Sequence, residues 1–146
     1  WLRRYIVLAR YTGQRRGALW ALRVDDVDLG AGTVIFRDGK NGDDHTLPIV
    51  DALREELVAW MPVEGRGLRQ VRRGTVSRAF KALTRRVGIK GLVFHSLRHD
   101  VGTALALRGE NLPTIMGVTG HKDPRAALRY IHAAGRENIK RAMEGL

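Results

Sequence analysis

The chain has 146 residues, 26 Lys and Arg against 15 Asp and Glu, a formal net charge of +11, and no cysteine. That length suits one domain with a sizeable core, and the missing cysteines exclude disulfide scaffolds, thiolate metal sites and cysteine nucleophiles. No apolar run approaches the roughly 18 residues of a membrane span, and the first residues do not read as a signal peptide.

Leu2 to Arg10 reads as a helix broken near Thr12-Gly13, and a second short helix is expected from about Arg15 to Leu22. Thr33-Val34-Ile35-Phe36-Arg37 is β-rich, Asp38 to Gly42 has turn chemistry, and Asp44 to Ile49 alternates polar and apolar residues. Together they predict a β-hairpin with a five-residue loop. Helix follows from about Val50 to Met61, with Leu53, Leu57 and Trp60 at helical spacing. After a link containing Gly and Pro, Thr75 can cap a helix whose Val76, Phe80, Leu83 and Val87 form one apolar stripe.

The last third is clearly punctuated. A helix is expected from His95-Ser96 to Gly109, with Leu97, Val101 and Leu105 inward. Asn111 offers an N-cap with Pro113 in the first turn, and Asp123-Pro124 repeats that grammar for a helix carrying Ala126, Ala127, Tyr130 and Ile131. Gly135 is expected to break it, leaving Arg136 to Met143 as a terminal helix. The fold class is therefore α+β, mainly helical, with one small antiparallel hairpin or sheet.

The charge is segregated. Residues 1–23 carry six Arg and no acid, residues 65–99 carry ten Lys or Arg and no acid, and ten of the fifteen acids lie between Asp25 and Glu64. Such segregation builds a positive face, and its commonest partner is a polyphosphate such as nucleic acid. Arg78, Lys81, Arg85 and Arg86 lie largely off the apolar stripe of their helix and are the expected DNA contacts. No segment pairs a broad apolar face with a lysine-rich one, so no membrane partner is expected.

Several side chains could do chemistry. His95 and His99 have possible metal spacing, but Arg98 between them opposes a cation, so no metal site and no cofactor are expected. Arg15 opens the second helix, Lys40 tips the hairpin, His95 and Arg98 share one helical turn, His121 follows Gly120 at a turn, and Tyr130 comes nine residues later. Each alone has an ordinary structural reading as a solvent-facing arginine, a hairpin lysine or a core tyrosine.

Their joint occurrence is more specific. Thr12-Gly13-Gln14-Arg15, Lys40 eight residues before Pro48, His95-Ser96-Leu97-Arg98-His99, Gly120-His121 and Arg129-Tyr130 resemble the active-site signature of tyrosine recombinases, the phage-integrase family. The resemblance runs from about residue 5 to 132. In two places the chain departs from it: Ala18 stands where the family usually has an acid that orients the first arginine, and Asp100 where Thr or Ser is common.

The resemblance implies a catalytic domain spanning residues 1–146, as a fragment without the family's N-terminal core-binding domain. It implies cleavage and rejoining of double-stranded DNA through a 3′-phosphotyrosyl link, with other copies of the chain assembling as a tetramer on DNA in the full-length protein. Arg15 and Arg98 would clamp the phosphate, His95 would receive the tyrosine proton, Lys40 would protonate the departing oxygen, His121 would contact a phosphate oxygen, and Tyr130 would attack. A cytoplasmic, nucleoid-associated setting follows from that role. Two alternatives share these residues, a type IB topoisomerase that relaxes DNA and a binding module that no longer cleaves.

Overall fold

Apolar residues recur at helical spacing from Leu2, and in the computed structural model they form α1 (Leu2–Thr12), with Tyr5, Leu8 and Ala9 buried. The structure describes residues 1–37, 44–60 and 71–145. Gly13 ends α1, donating its N–H to the Ala9 carbonyl at 2.9 Å, and an extended Arg15 leads into α2 (Arg16–Ala21). A 3₁₀ turn (Val24–Asp26) follows, organised by the buried Asp26, which accepts from the Arg23 N–H at 2.8 Å and from Arg37 Nε at 2.6 Å.

Three antiparallel strands come next in the order β1 (Val27–Asp28), β2 (Thr33–Phe36), β3 (His45–Pro48). Val34 pairs with Leu47 and Phe36 with His45, and Val34, Phe36 and Leu47 are buried. The expected hairpin strands are therefore present, while the tip with Lys40 lies outside the described residues. β1 is an addition: two residues are too short to display the period-two alternation that marks a strand.

Two helices then pack against α1. α3 (Asp51–Trp60) buries Leu53 and Leu57 and half-buries Trp60. α4 (Arg73–Arg86) starts before Thr75, which does not cap it; the N-cap is Arg72, with no side-chain bond. The inward line of α4 is Val76, Phe80 and Thr84, whereas Leu83 and Val87 are exposed. Burying Thr84 costs little because its hydroxyl donates to the Lys81 carbonyl at 3.1 Å.

α5 (Ser96–Leu107), α6 (Leu112–Thr119) and α7 (Pro124–Glu144) form a second packed unit. Asn111 and Asp123 cap α6 and α7 as expected, accepting from the N–H groups of Thr114 and Arg125, each at 2.9 Å. α7 continues through Gly135 without a break. An interior glycine costs about 1 kcal/mol in a helix, and contacts beyond it hold the helix on α5. Asn138 Nδ2 donates to the Ala106 carbonyl at 2.7 Å and Arg141 Nη1 to the Leu107 carbonyl at 2.5 Å, capping the end of α5.

Two cores result. One joins α1 to α4 and the sheet through Tyr5, Leu8, Leu19, Phe36, Leu53 and Phe80, and the other joins α5 to α7 through Ala106, Ile115, Ala127, Tyr130 and Ala134. Among the described residues no helix is long and apolar enough to cross a membrane.

Candidate active site

The site lies where the end of α1 meets α5, α6 and α7. α5 was expected to point Leu97, Val101 and Leu105 inward. Val101 is buried, but Leu97 and Leu105 are only half-buried, and Arg98 shares the innermost face with Gly102 and Ala106. Arg98 is 2% exposed, donating from Nη1 to the Gly13 carbonyl at 2.8 Å and from Nη2 to His121 Nε2 at 3.1 Å. Both partners are neutral acceptors, and no carboxylate pairs with Arg98 among the described residues.

A buried guanidinium without a counter-ion is costly. Burial first, then the nearby charge of Arg15, pushes the Arg98 pKa down to about 10, with Arg129 adding to the fall and Tyr130 opposing it. It stays charged at neutral pH. Arg15, at the start of α2, is exposed, and its guanidinium makes no ion pair among the described residues. Ala18, one turn on, is half-buried against the first core and offers it nothing polar.

Gly120 turns the chain so that His121 faces Arg98. Its φ of +65° ends α6 in the left-handed region, and its N–H donates to the Met116 carbonyl at 2.8 Å. A Cβ there would meet His45 and Gln14 only at ordinary contact distance, 3.4–3.5 Å, so it is the positive φ that favours glycine. Gln14 reinforces the corner by donating from Nε2 to the Val118 carbonyl at 3.0 Å. Burial, followed by the charges of Arg98, Arg15 and Arg129, pushes the His121 pKa down to about 4.

Tyr130 is 2% exposed and lies flat on α5. A Cβ on Gly102 would fall 2.5 Å from the ring, so only glycine leaves room for it. The His121 and His99 rings are tilted against it at 5.8 and 5.9 Å, and the Arg129 guanidinium sits 5.3 Å from its centroid. The hydroxyl shares a hydrogen bond with His99 Nδ1 at 3.2 Å. His95, expected as the tyrosine's proton acceptor, instead packs edge-on against His99 with centroids 4.7 Å apart. Desolvation first, then His99 and the three arginines, hold His95 below the ordinary histidine range.

The structure thus gathers Arg98, His121 and Tyr130 in direct contact, with His95 one ring further out and Arg15 at the rim. His99 was read only within the His95–His99 motif and given no role, and Gly102 was not read as part of the site, although a glycine in mid-helix is a readable sign of close approach. Arg78, Lys81, Arg85 and Arg86 are all exposed on α4, a helix without an acid.

The sequence profile of the phage integrase family matches residues 1–137. The chain belongs to the phage integrase family. It is 30% identical over 154 aligned positions to the tyrosine recombinase XerA of Pyrococcus furiosus, covering 97% of this chain and 53% of that protein. It is 31% identical over 127 positions to the shufflon-specific DNA recombinase of Escherichia coli, covering 86% of this chain and 33% of that protein. The chain spans about half the length, or less, of these curated relatives. The XerA recombinase crystal structure superposes with a TM-score of 0.77 at 25% identity, over 97% of this chain and 62% of that one. A lambda integrase dimer bound to a COC′ core site gives 0.70 at 27%, over 89% of this chain and 41% of that one. The α+β, mainly helical fold is that of tyrosine recombinase catalytic domains.

Proposed function

We propose that the chain is the catalytic domain of a site-specific DNA recombinase, cutting and rejoining DNA through a covalent bond to Tyr130. The observation that supports this most is the buried guanidinium of Arg98, without a carboxylate partner among the described residues, beside a buried tyrosine, with Arg15 adding positive charge at the rim. A cation kept without a counter-ion is poised for an anionic partner, and a phosphodiester gains most negative charge on its non-bridging oxygens as it is attacked.

In the reaction the Tyr130 oxygen bonds to phosphorus and the bond from phosphorus to the 5′ oxygen breaks. A phenol has a pKa of about 10, so its proton must pass to a base as attack proceeds. His95 takes that role by resemblance; His99 Nδ1 is the nitrogen that meets the hydroxyl in this arrangement. Lys40 supplies the proton to the departing 5′ oxygen, Arg15 and Arg98 hold the phosphate, and His121, expected at a phosphate oxygen, sits beside it against Arg98. The phosphotyrosyl link keeps the energy of the original bond, so a different 5′-hydroxyl can attack it and reseal the strand. Relatives named as recombinases and integrases favour strand exchange over topoisomerase-like relaxation.

Duplex DNA is the substrate, and copies of the full-length protein assemble on it in the cytoplasm. Arg78, Lys81, Arg85 and Arg86 contact its backbone. The test is covalent trapping on supercoiled plasmid in EDTA, comparing wild type with Tyr130→Phe. Detergent-resistant adducts are expected from the wild type alone. An adduct that persists with Tyr130→Phe would overturn the assignment.

A further inference from the structure

Behind His121, on the side away from Arg98, lies Thr119, the last residue of α6 and fully buried. Its Oγ1 is 2.6 Å from the Ile115 carbonyl oxygen and 2.7 Å from His121 Nδ1. A hydroxyl has one proton. The Ile115 carbonyl can only accept, so at 2.6 Å the Thr119 proton must point to it. Oγ1 is then left with lone pairs toward His121, and Nδ1 must carry the hydrogen. The far end of the ring imposes the same choice. Arg98 has donors only, and its Nη2 lies 3.1 Å from Nε2, so Nε2 must present a lone pair. A hydrogen on Nε2 would oppose two donors across that contact and two acceptors across the other.

The geometry points to Thr119 as a positioning residue for the proposed cleavage: it selects the Nδ1–H form of His121, whose Nε2 then receives Arg98 and holds the guanidinium for phosphate. The chain of contacts runs from the Ile115 carbonyl through Thr119, His121 and Arg98 to the Gly13 carbonyl, with no described group in it short of a partner. The inference rests on the cleavage reading for its purpose, but the hydrogen assignment stands or falls without DNA. It also constrains His121 itself. While Nε2 receives Arg98 it cannot donate to a phosphate oxygen, so its part in the resting site is to orient the arginine.

The test is long-range nitrogen–proton NMR of the histidine rings in the 146-residue chain, at neutral pH, for wild type, Thr119→Val and Thr119→Ser. Wild type and Thr119→Ser are expected to show His121 protonated at Nδ1 alone. Thr119→Val, which keeps the shape and loses the hydroxyl, is expected to move His121 toward the Nε2–H form. Adduct formation should slow by about tenfold in Thr119→Val, the size of effect expected from one lost hydrogen bond. DNA affinity should hold within about twofold, and Thr119→Ser should restore the rate. A wild-type His121 protonated at Nε2, or a tautomer that ignores Thr119→Val, would overturn the inference. If the tautomer follows Thr119 but no variant of the chain ever forms an adduct, the positioning of His121 stands and the cleavage reading fails.

Discussion

Phe36, Leu53 and Phe80 fill the core shared by the sheet and the first four helices, whereas three alanines and Ile115 share the core between α5, α6 and α7 with Tyr130. Around Ala106, Ala127 and Ala134 sit Arg98, Thr119, His121 and Tyr130, all buried and all polar. In the first region burial removes apolar surface from water and stabilises the fold. In the second it removes a positive charge, a histidine and a phenol from water, and the hydrogen bonds from Arg98 and within the Thr119–His121 pair compensate only in part. Burial in the first region therefore only stabilises, whereas in the second it also carries the cost of holding polar groups out of water.

Matched substitutions sharpen that contrast. Phe36→Ala should cost about 3–5 kcal/mol in urea unfolding, as large-to-small changes in packed cores do. Arg98→Met, at a site equally buried, should change stability by no more than about 1 kcal/mol, because losing two hydrogen bonds is offset by no longer burying a charge. It should abolish adduct formation all the same. Equal destabilisation by the two changes would erase the distinction.

Gly102→Ala comes next. Its methyl would overlap the Tyr130 ring at 2.5 Å, so the ring or α5 must shift. A stability loss of about 1–3 kcal/mol is expected, again read from urea midpoints. A neutral result would mean that the tyrosine is not seated against α5.

The pH dependence separates the regions further. His121 has a folded pKa pushed down to about 4, below the ordinary 6.5, so between those values the unfolded chain binds the extra proton. Its contribution to stability is therefore complete above about pH 6.5 and is lost as pH falls toward 4. His95 and His99 are lowered too and act in the same direction. Urea midpoints at about pH 7 and pH 5 should differ more for wild type than for His121→Gln. The smallest effect belongs to the surface: Arg85→Ala should leave stability within about 0.5 kcal/mol and reduce the salt slope of DNA binding by about one.

The same contrast explains what could be read from the sequence. The hairpin strands, the α1–Gly13 end and the Asn111 and Asp123 caps depend on local chemistry, which a sequence displays directly. The candidate site residues stood out because their types and spacing are unusual together. Side-chain contacts that periodicity does not display decided the rest. Thr84 replaces Leu83 on the inner line of α4 because its hydroxyl finds the Lys81 carbonyl. α7 survives Gly135 because Asn138 and Arg141 reach the end of α5. Thr119 and His99 matter only through partners that no helical period brings into view, a ring two residues past the end of α6 and a hydroxyl on another helix.

The chain has three tyrosines, and they differ in exposure: Tyr11 is 44% exposed, while Tyr5 and Tyr130 are buried. Simple accessibility would favour Tyr11 as the residue modified by DNA. Peptide mapping of nuclease-trimmed adducts by mass spectrometry decides between them, because trypsin cutting after Arg129 and Arg136 isolates Tyr130 on its own peptide. A nucleotide 3′-phosphate mass on the peptide from Tyr130 to Arg136 is the predicted result. The same mass on the peptide carrying Tyr11 would contradict it, and with it the assignment of the buried polar cluster as the reactive site.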